Sequence, residues 1–427
     1  MEIALASDPA KRRRGAGVVL AATLGNMLGS TPVVQSAFGL FLIPIAQEFD
    51  WPRARVSGVL GLLALATALS YPIMGRLADR IGARRIILAG NLAFAAAVAA
   101  LSLATSNIFW FYALFAVVGL TGALPSTMMY TRVLSGWFDR TRGTMLGLAS
   151  GLGNGVGATV MPIIALGLMG QFGWRGAYLG LGLIVAAVGF PVLLLLLRDP
   201  PSRARTAAGS AASASAEGMS LGQAARTPVF WMTLAAIALG AGCMTAVFAH
   251  VVPILTDRGL DPGQATAVVS TFAMVAAGWQ IAVGWVLDRT ASPRITAPFY
   301  LVAIAGLSLL EHASGLPGLL LAGALMGIGL GTEYGALPYF ISRYFGLRCY
   351  GQIAGVMYSV VILAQGIIPV LMDASFDALR SYVLSVHLVQ AALVAGAVVL
   401  ASLRPYRALA RPAASPAPGL TGDATPG

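Results

Sequence analysis

The sequence contains few charged residues and very little cysteine. Only 10% of its 427 residues are Asp, Glu, Lys or Arg, and it has three histidines and two cysteines. Cys243 and Cys349 lie far apart, so they indicate neither a disulfide framework nor a metal-binding motif. The chain has no glycine-rich Lys-Ser/Thr phosphate loop, which argues against direct use of ATP. It also has no nucleophile–base constellation, so we expect neither an enzyme nor a cofactor.

Hydrophobic residues are correspondingly abundant. They make up 58% of the chain, and the mean hydropathy is +0.81. A soluble domain is about 45–50% apolar, and a membrane-spanning helix needs about 20 mostly apolar residues. The sequence therefore predicts an all-α integral membrane protein. Its twelve predicted spans cover 17–44, 56–76, 86–106, 108–131, 143–168, 174–197, 228–254, 264–287, 295–312, 316–341, 351–373 and 382–403.

The positive charge is distributed as in a membrane protein. The net charge of +11 would suit a nucleic-acid partner, but the arginines cluster in alternate loops. With a cytoplasmic N-terminus, all Lys and Arg residues face the cytoplasm except Arg53, Arg55, Arg175, Arg258 and Arg380. This pattern obeys the positive-inside rule. It predicts a multi-pass inner-membrane protein with both termini in the cytoplasm, and no nucleic-acid partner.

A charged motif after the second span recurs in the second half of the chain. The first copy is Gly75-x-x-x-Asp79-Arg80-x-Gly82-x-Arg84-Arg85, and Gly284, Asp288 and Arg289 form a shorter second copy. Further pairs repeat at nearly the same spacing, namely Pro44 with Pro253, Arg140 with Arg348, and Pro162 with Pro369. Two repeats of six spans, with a binding site between them, are typical of secondary transporters. The sequence thus predicts two bundles that move against each other.

The charged motif can do more than orient the loop. A carboxylate at a membrane edge can pair with an arginine or a helix N-terminus of the other bundle, and such a pair must break when that side opens. Glycines permit the tight turn and close approach. The simpler alternative is that the arginines only hold the loop inside. The predicted cytoplasmic gate comprises Gly75, Asp79, Arg80, Gly82, Arg84, Arg140, Asp288 and Arg289.

The complete first copy resembles the loop 2–3 motif of the major facilitator superfamily. Phe38-Gly39-Leu40-Phe41-Leu42-x-Pro44-Ile45, His250-Val-Val-Pro253 and Ser342-Arg343-Tyr344-Phe345-Gly346 are similar to segments of its oxalate/formate and monocarboxylate porters. The resemblance implies two six-helix bundles related by a pseudo-two-fold axis. The expected domains are an N-terminal tail (1–14), the first bundle (15–198), a cytoplasmic linker (199–226), the second bundle (227–405) and a disordered tail (406–427).

Polar residues inside the spans are candidates for the transport site, because such residues are costly in a membrane and usually face a cavity. Glu333 and His250 are the candidate proton-coupling groups. Each is alternatively a structural hydrogen-bond partner between helices. The candidate substrate-binding residues are Asn26, Gln35, Asn154, Gln280, Tyr334, Tyr358 and Gln365, with the same alternative.

One departure from the porter pattern limits the substrate prediction. Gln280 stands where monocarboxylate porters usually place an arginine, and span 11 carries no basic residue. An arginine is the natural bidentate partner of a carboxylate, so a small dianion such as oxalate is disfavoured. We therefore predict proton symport of a small, monocarboxylate-like organic acid by a monomer in the lipid bilayer. The alternative is uptake or efflux of a neutral or amphipathic metabolite or drug.

Overall fold

The computed structural model describes residues 9–200, 218–290, 292–313 and 315–406. In these ranges the regular secondary structure is helical, apart from one isolated bridge between Gly218 and Gly346. Residues 1–8, 201–217 and 407–427 of the predicted tails and linker lie outside the described ranges. The described end of the linker contains a short helix, Leu221–Ala225, which begins with a capping box formed by Ser220 and Gln223. This part of the linker is therefore more ordered than the sequence suggested.

In the described ranges, eleven apolar helical stretches are long enough to cross a membrane, and one of them consists of two helices. The longest of these stretches, Arg142–Leu196, has 55 residues and would extend about 80 Å as one helix. Gly173, with φ +66°, divides it into two. The helices are α1 Arg12–Glu48, α2 Arg53–Ile81, α3 Ala83–Leu103, α4 Ile108–Trp137, α5 142–172, α6 173–196, α7 Pro228–Asp257, α8 Pro262–Arg289, α9 Pro293–His312, α10 Leu316–Phe345, α11 Tyr350–Leu379 and α12 Val383–Ser402.

Several helices carry local irregularities. α1 is interrupted by a π-helical segment, Thr31–Gln35, that contains Pro32, because proline cannot donate a backbone hydrogen bond. α5 has a π-helical segment at Leu148–Leu152, and α10 ends in another at Ile341–Phe345. Such segments shift the helical register and are frequent at functional sites.

The apolar core shows how the halves meet. We call the face at which α1 begins and α12 ends the terminal face, and the opposite one the far face. One hydrophobic cluster contains buried residues of the second half together with residues near the terminal face of the first, such as Val18, Ala78 and Trp137. A second cluster holds residues of the first half toward the far face, including Phe41 and Tyr178. The two halves thus share a core near the terminal face.

In the described part of the chain, two helix pairs form the most extensive contacts between the halves. α2 packs along α11, and α5 packs along α8. Contacts between α2 and α11 run from Gly75, beside Gly351, to Ala68, whose carbonyl accepts from Ser359 at 2.7 Å. Together, the α2–α11 and α5–α8 pairs place the charged motif of each half at a helix end of the opposite half.

Candidate gate and transport site

Asp79 joins the end of α2 to the start of α11. Its carboxylate accepts the backbone N–H groups of Gly351 at 3.1 Å and Gln352 at 2.9 Å. Arg132 of α4 lies 2.8 Å from the same carboxylate, and the Asp79 side chain is only 8% exposed. The first N–H groups of a helix lack intrahelical partners and carry partial positive charge. Asp79 therefore satisfies donors of the opposite half while remaining paired within its own.

Asp288 makes the corresponding contact between α8 and α5. It accepts from the backbone N–H groups of Gly143 at 2.7 Å and Thr144 at 2.8 Å. The Thr144 hydroxyl donates to it as well, at 2.8 Å. Each half thus supplies one carboxylate that binds the N-terminus of a helix in the other half. We call these two contacts the paired latches.

Glycines allow the backbones at the latches to approach closely. A Cβ added at Gly75 would overlap the carbonyl of Gly351, and one added at Gly143 would overlap the carbonyl of Gly284. The same holds one turn further along α5, where Gly147 meets the carbonyl of Gln280. Glycine is needed at these positions because any larger residue would separate the halves.

A third link between the halves was missed from the sequence. Arg343 of α10 lies 2.8 Å from the Asp139 carboxylate and also donates to the Asp139 carbonyl at 2.6 Å. Arg142 contacts the same carboxylate at 3.1 Å. The Asp139 side chain is 59% exposed, so this link is more hydrated than the paired latches. Arg343 stood in a porter-like segment, but nothing in the sequence identified its partner.

The other predicted gate residues make contacts within their own half or mark helix ends. Gly82 ends α2 with φ +101°, and Arg84 donates to the carbonyls of Leu197 at 2.6 Å and Leu194 at 2.8 Å. Arg289 lies over the Trp285 ring at 3.6 Å. Arg80 lies in the last turn of α2, and Arg140 lies in the loop between α4 and α5.

A chain of polar contacts connects three of the predicted substrate residues. The Thr127 hydroxyl donates to Asn26 at 2.6 Å, and Asn154 donates to Thr127 at 3.3 Å. Ser150, one turn before Asn154, donates to Gln280 at 3.0 Å. Asn26 and Gln280 are only 2% and 7% exposed. The chain runs from α1 through α4 and α5 to α8, so it crosses between the halves.

Tyr334 differs from its neighbours in α10. It is 38% exposed, whereas the residues around it from Gly329 to Ser342 are buried. Gln365 of α11 donates to the Tyr334 hydroxyl at 2.9 Å. Gln35 of α1 is exposed as well, while Tyr358 is partly buried with its ring 6.1 Å from that of Tyr71. Tyr334, Gln365 and Gln35 are thus predicted substrate residues that keep accessible surface.

Glu333 points in a different direction from Tyr334. It is 1% exposed, and neither carboxylate oxygen has a hydrogen-bond partner by geometry among the described residues. A Cβ added at Gly240 of α7 would meet both Glu333 and the hydroxyl of Tyr300, which belongs to α9. Glu333 therefore lies inside the second bundle, among α7, α9 and α10.

His250 connects α7 to α11 near the far face. Its Nδ1 lies 2.7 Å from the Ala246 carbonyl, and its Nε2 lies 2.7 Å from the Asp373 carboxylate. Both ring nitrogens therefore face oxygen acceptors, which a doubly protonated imidazole satisfies. The ring centroid of Tyr382 lies 5.5 Å from that of His250. Burial raises the pKa of the Tyr382 hydroxyl, and the nearby carboxylates raise it further. Asp373 could not be identified as the partner of His250 from the sequence.

Comparisons with known proteins agree with this architecture. The model of the Major Facilitator Superfamily matches residues 14–369. Human monocarboxylate transporter 11 is 27% identical over 394 residues, covering 88% of this chain and 81% of that protein. The 3-(3-hydroxy-phenyl)propionate transporter of Escherichia coli K12 is 28% identical over 334 residues, covering 72% and 75%. The solved Escherichia coli fucose:proton symporter shares the fold, with a TM-score of 0.65 at 16% identity over 90% of this chain and 96% of that one. The predicted fold class is confirmed.

Proposed function

The chain belongs to the Major Facilitator Superfamily, and from this premise we propose that it carries a small monocarboxylate across the inner membrane by proton symport. The relatives named for monocarboxylates and for a phenylpropionate support an organic acid as substrate. The positive-inside distribution of arginine supports cytoplasmic termini, so that the terminal face is the cytoplasmic one.

The paired latches are the observation that carries the mechanism. Asp79 and Asp288 each bind a helix N-terminus of the opposite half, and both contacts lie at the same face. Opening that face requires both carboxylates to leave their donors together. We therefore assign this arrangement to the state closed at the cytoplasm, and breakage of the latches to the inward-open state.

We propose that Tyr334, Gln365 and Gln35 contact the substrate first. They are accessible, and phenol and amide groups can bind a carboxyl group through neutral hydrogen bonds. Every described arginine lies between helices or within two turns of a helix end. Neutral hydrogen bonds from these three residues would therefore take the place of an arginine at the substrate carboxyl group. The polar chain between the halves would transmit substrate binding to Asn26, Asn154 and Gln280. Tyr358 would respond to substrate binding through its packing against Tyr71.

His250 is the better placed of the two candidate proton sites. Its contact with Asp373 connects a titratable ring to a side chain that is 62% exposed, so protons can reach it from the far face. Glu333 is enclosed within one bundle. Ionising an enclosed carboxyl group without a partner is costly, so we assign Glu333 a structural role unless the bundle itself opens.

The test is uptake by purified protein in proteoliposomes with an inward proton gradient. A panel of radiolabelled monocarboxylates is compared with the corresponding neutral amides, since an amide has similar shape but cannot carry the acid proton. We expect at least one acid to accumulate and a protonophore to abolish the accumulation. Protein-free liposomes of the same lipid composition control for passive diffusion of the undissociated acid. Absence of accumulation for every acid would contradict the proposal.

A neutral solute is the second candidate. Gln280 in place of an arginine, and the fold shared with a fucose:proton symporter, favour it. Accumulation of amides or sugars without accumulation of acids would establish this alternative. Gradient-dependent extrusion of a preloaded amphipathic compound would instead indicate efflux.

A further inference from the structure

A groove lies between α1 and α5 at the terminal face, on the side of α1 and next to the residues that flank Gly143 and Thr144. It has a volume of about 500 Å³, within the range of small-molecule sites. Gly15, Ala16 and Leu20 form the α1 wall, while Leu148 and Leu152 belong to the α5 wall. The small side chains of Gly15 and Ala16 create the space between the helices.

The walls of this groove suit a hydrocarbon chain. Besides two threonines and one arginine, its lining consists of glycine and of apolar or aromatic side chains. Thr23, one of these threonines, donates its hydroxyl to the Val19 carbonyl of its own helix. Leu20 and Leu152 are 50% and 44% exposed in the protein alone, so the groove opens sideways toward the bilayer. A flexible apolar chain can therefore enter it from the membrane.

The polar end of the groove carries positive charge. Arg12 lines it, and no carboxylate belongs to the lining. Arg13 and Arg14 follow on the same exposed helix end. Basic residues at this level of a membrane protein attract anionic lipid headgroups, and basic pockets between helices bind them. An apolar groove that ends at an arginine matches a ligand with an acyl chain and an anionic phosphate.

We propose that this groove binds an anionic phospholipid, with one acyl chain between α1 and α5 and the phosphate at Arg12. The site differs from the transport site, which lies deeper and between the two halves. It would be occupied whichever solute the protein carries. Anionic and zwitterionic phospholipids share the same acyl chains, so the headgroup preference is the property that identifies the site.

Trp137 provides a local reporter, because it lines the groove. The full-length protein is reconstituted in phosphatidylcholine bilayers that contain increasing fractions of phosphatidylglycerol with brominated acyl chains, which quench tryptophan fluorescence. Brominated phosphatidylcholine serves as the comparison. Subtracting the signal of Trp137→Phe isolates the contribution of Trp137 from that of the six other tryptophans. We expect half-maximal quenching of Trp137 at a several-fold lower fraction of phosphatidylglycerol than of phosphatidylcholine.

Two variants test the two parts of the site. Arg12→Gln should reduce the headgroup preference by roughly fivefold, whereas Arg13→Gln, the matched loss of a neighbouring charge, should reduce it less. Ala16→Leu fills the groove from an exposed position and should lower quenching by both brominated lipids. Retention of phosphatidylglycerol in native mass spectrometry provides a second measurement that does not require Trp137→Phe to fold.

Three outcomes would overturn the proposal. Equal quenching by the two headgroups would show that the groove takes any membrane lipid. Equal effects of Arg12→Gln and Arg13→Gln would show that the headgroup preference comes from general surface charge and not from a site at Arg12. Unchanged quenching in Ala16→Leu, with its fold intact by circular dichroism, would place the lipid outside the groove.

Discussion

Asp79→Asn should weaken closure of the terminal face more than Asp288→Asn does. The substitution removes the carboxylate charge that accepts the backbone N–H groups of Gly351 and Gln352 and pairs with Arg132. Asp79 and Arg132 belong to the same half, so their ion pair does not itself break when the face opens. In the variant, however, the closed face leaves the Arg132 charge buried beside the positive N-terminus of α11, and opening hydrates that charge. Leaving one charge of a buried ion pair without its partner costs about 3–5 kcal/mol. Arg132 retains 13% exposure, so the lower end applies, and about 3 kcal/mol corresponds to a change of roughly a hundredfold in the closed-to-open ratio.

Asp288→Asn should have a smaller effect, because Arg343, the arginine whose charge acts on Asp288, keeps its ion pair with Asp139. An asparagine keeps one acceptor oxygen for the N–H groups of Gly143 and Thr144. The loss is mainly that of charge assistance, about 1.5 kcal/mol, or roughly tenfold. The second copy of the motif lacks the middle glycine and the paired arginines of the first, which favours the same ranking. The structure adds a physical reason for it, namely Arg132.

Hydrogen–deuterium exchange of the full-length protein measures both latches directly. The donor amides begin α11 and α5, so exchange at residues 350–353 and 142–146 reports on opening. If the halves move as rigid bodies, each variant should accelerate exchange at both places. Asp199→Asn is the matched control, since Asp199 accepts from the Arg84 N–H at 3.3 Å within one half. Equal effects of the two latch variants, or acceleration confined to the mutated latch, would refute this reasoning.

Three further substitutions test neighbouring parts of the mechanism. Gly75→Ala should reduce uptake strongly, because its Cβ would overlap a carbonyl of α11. The control Gly167→Ala, which has open space around it, should leave uptake unchanged. Equal uptake by the two variants would contradict the close approach of α2 and α11. Arg343→Gln should change the exchange of 142–146 by fivefold at most, since its partner is largely hydrated and such pairs contribute about 0–1 kcal/mol. His250→Gln should reduce accumulation driven by a proton gradient while leaving downhill exchange of the same substrate intact. Accumulation equal to that of the unsubstituted protein would remove His250 from the proton path.

Much of the architecture could be predicted because hydropathy and charge are local properties. Each span is long and apolar, and this alone requires a helix in a bilayer. The glycine and aspartate of the repeated motif also marked where the halves would meet. The partners of these residues could not be predicted, because Asp79 and Gly351 belong to different repeats and only folding brings them together.

The candidate substrate residues share one sequence criterion but differ in their exposure. Asn26 and Gln280 satisfied the same criterion as Tyr334, namely polarity within a span, yet they are buried and Tyr334 is accessible. Asp139 and Asp373 were missed, since a carboxylate near a helix end is common on any membrane protein. Their importance depends on Arg343 and His250, which approach them only in the tertiary structure.

The sequence by itself determined the number of helices, their order, the duplication and the positions of the latch carboxylates. The tertiary structure decided which way each helix turns its side chains. Consecutive residues of an α-helix are separated by about 100° around its axis, so the packing of neighbouring helices sets which one meets a cavity. Glu333 and Tyr334 are adjacent in the chain, but one is enclosed in the second bundle and the other is accessible.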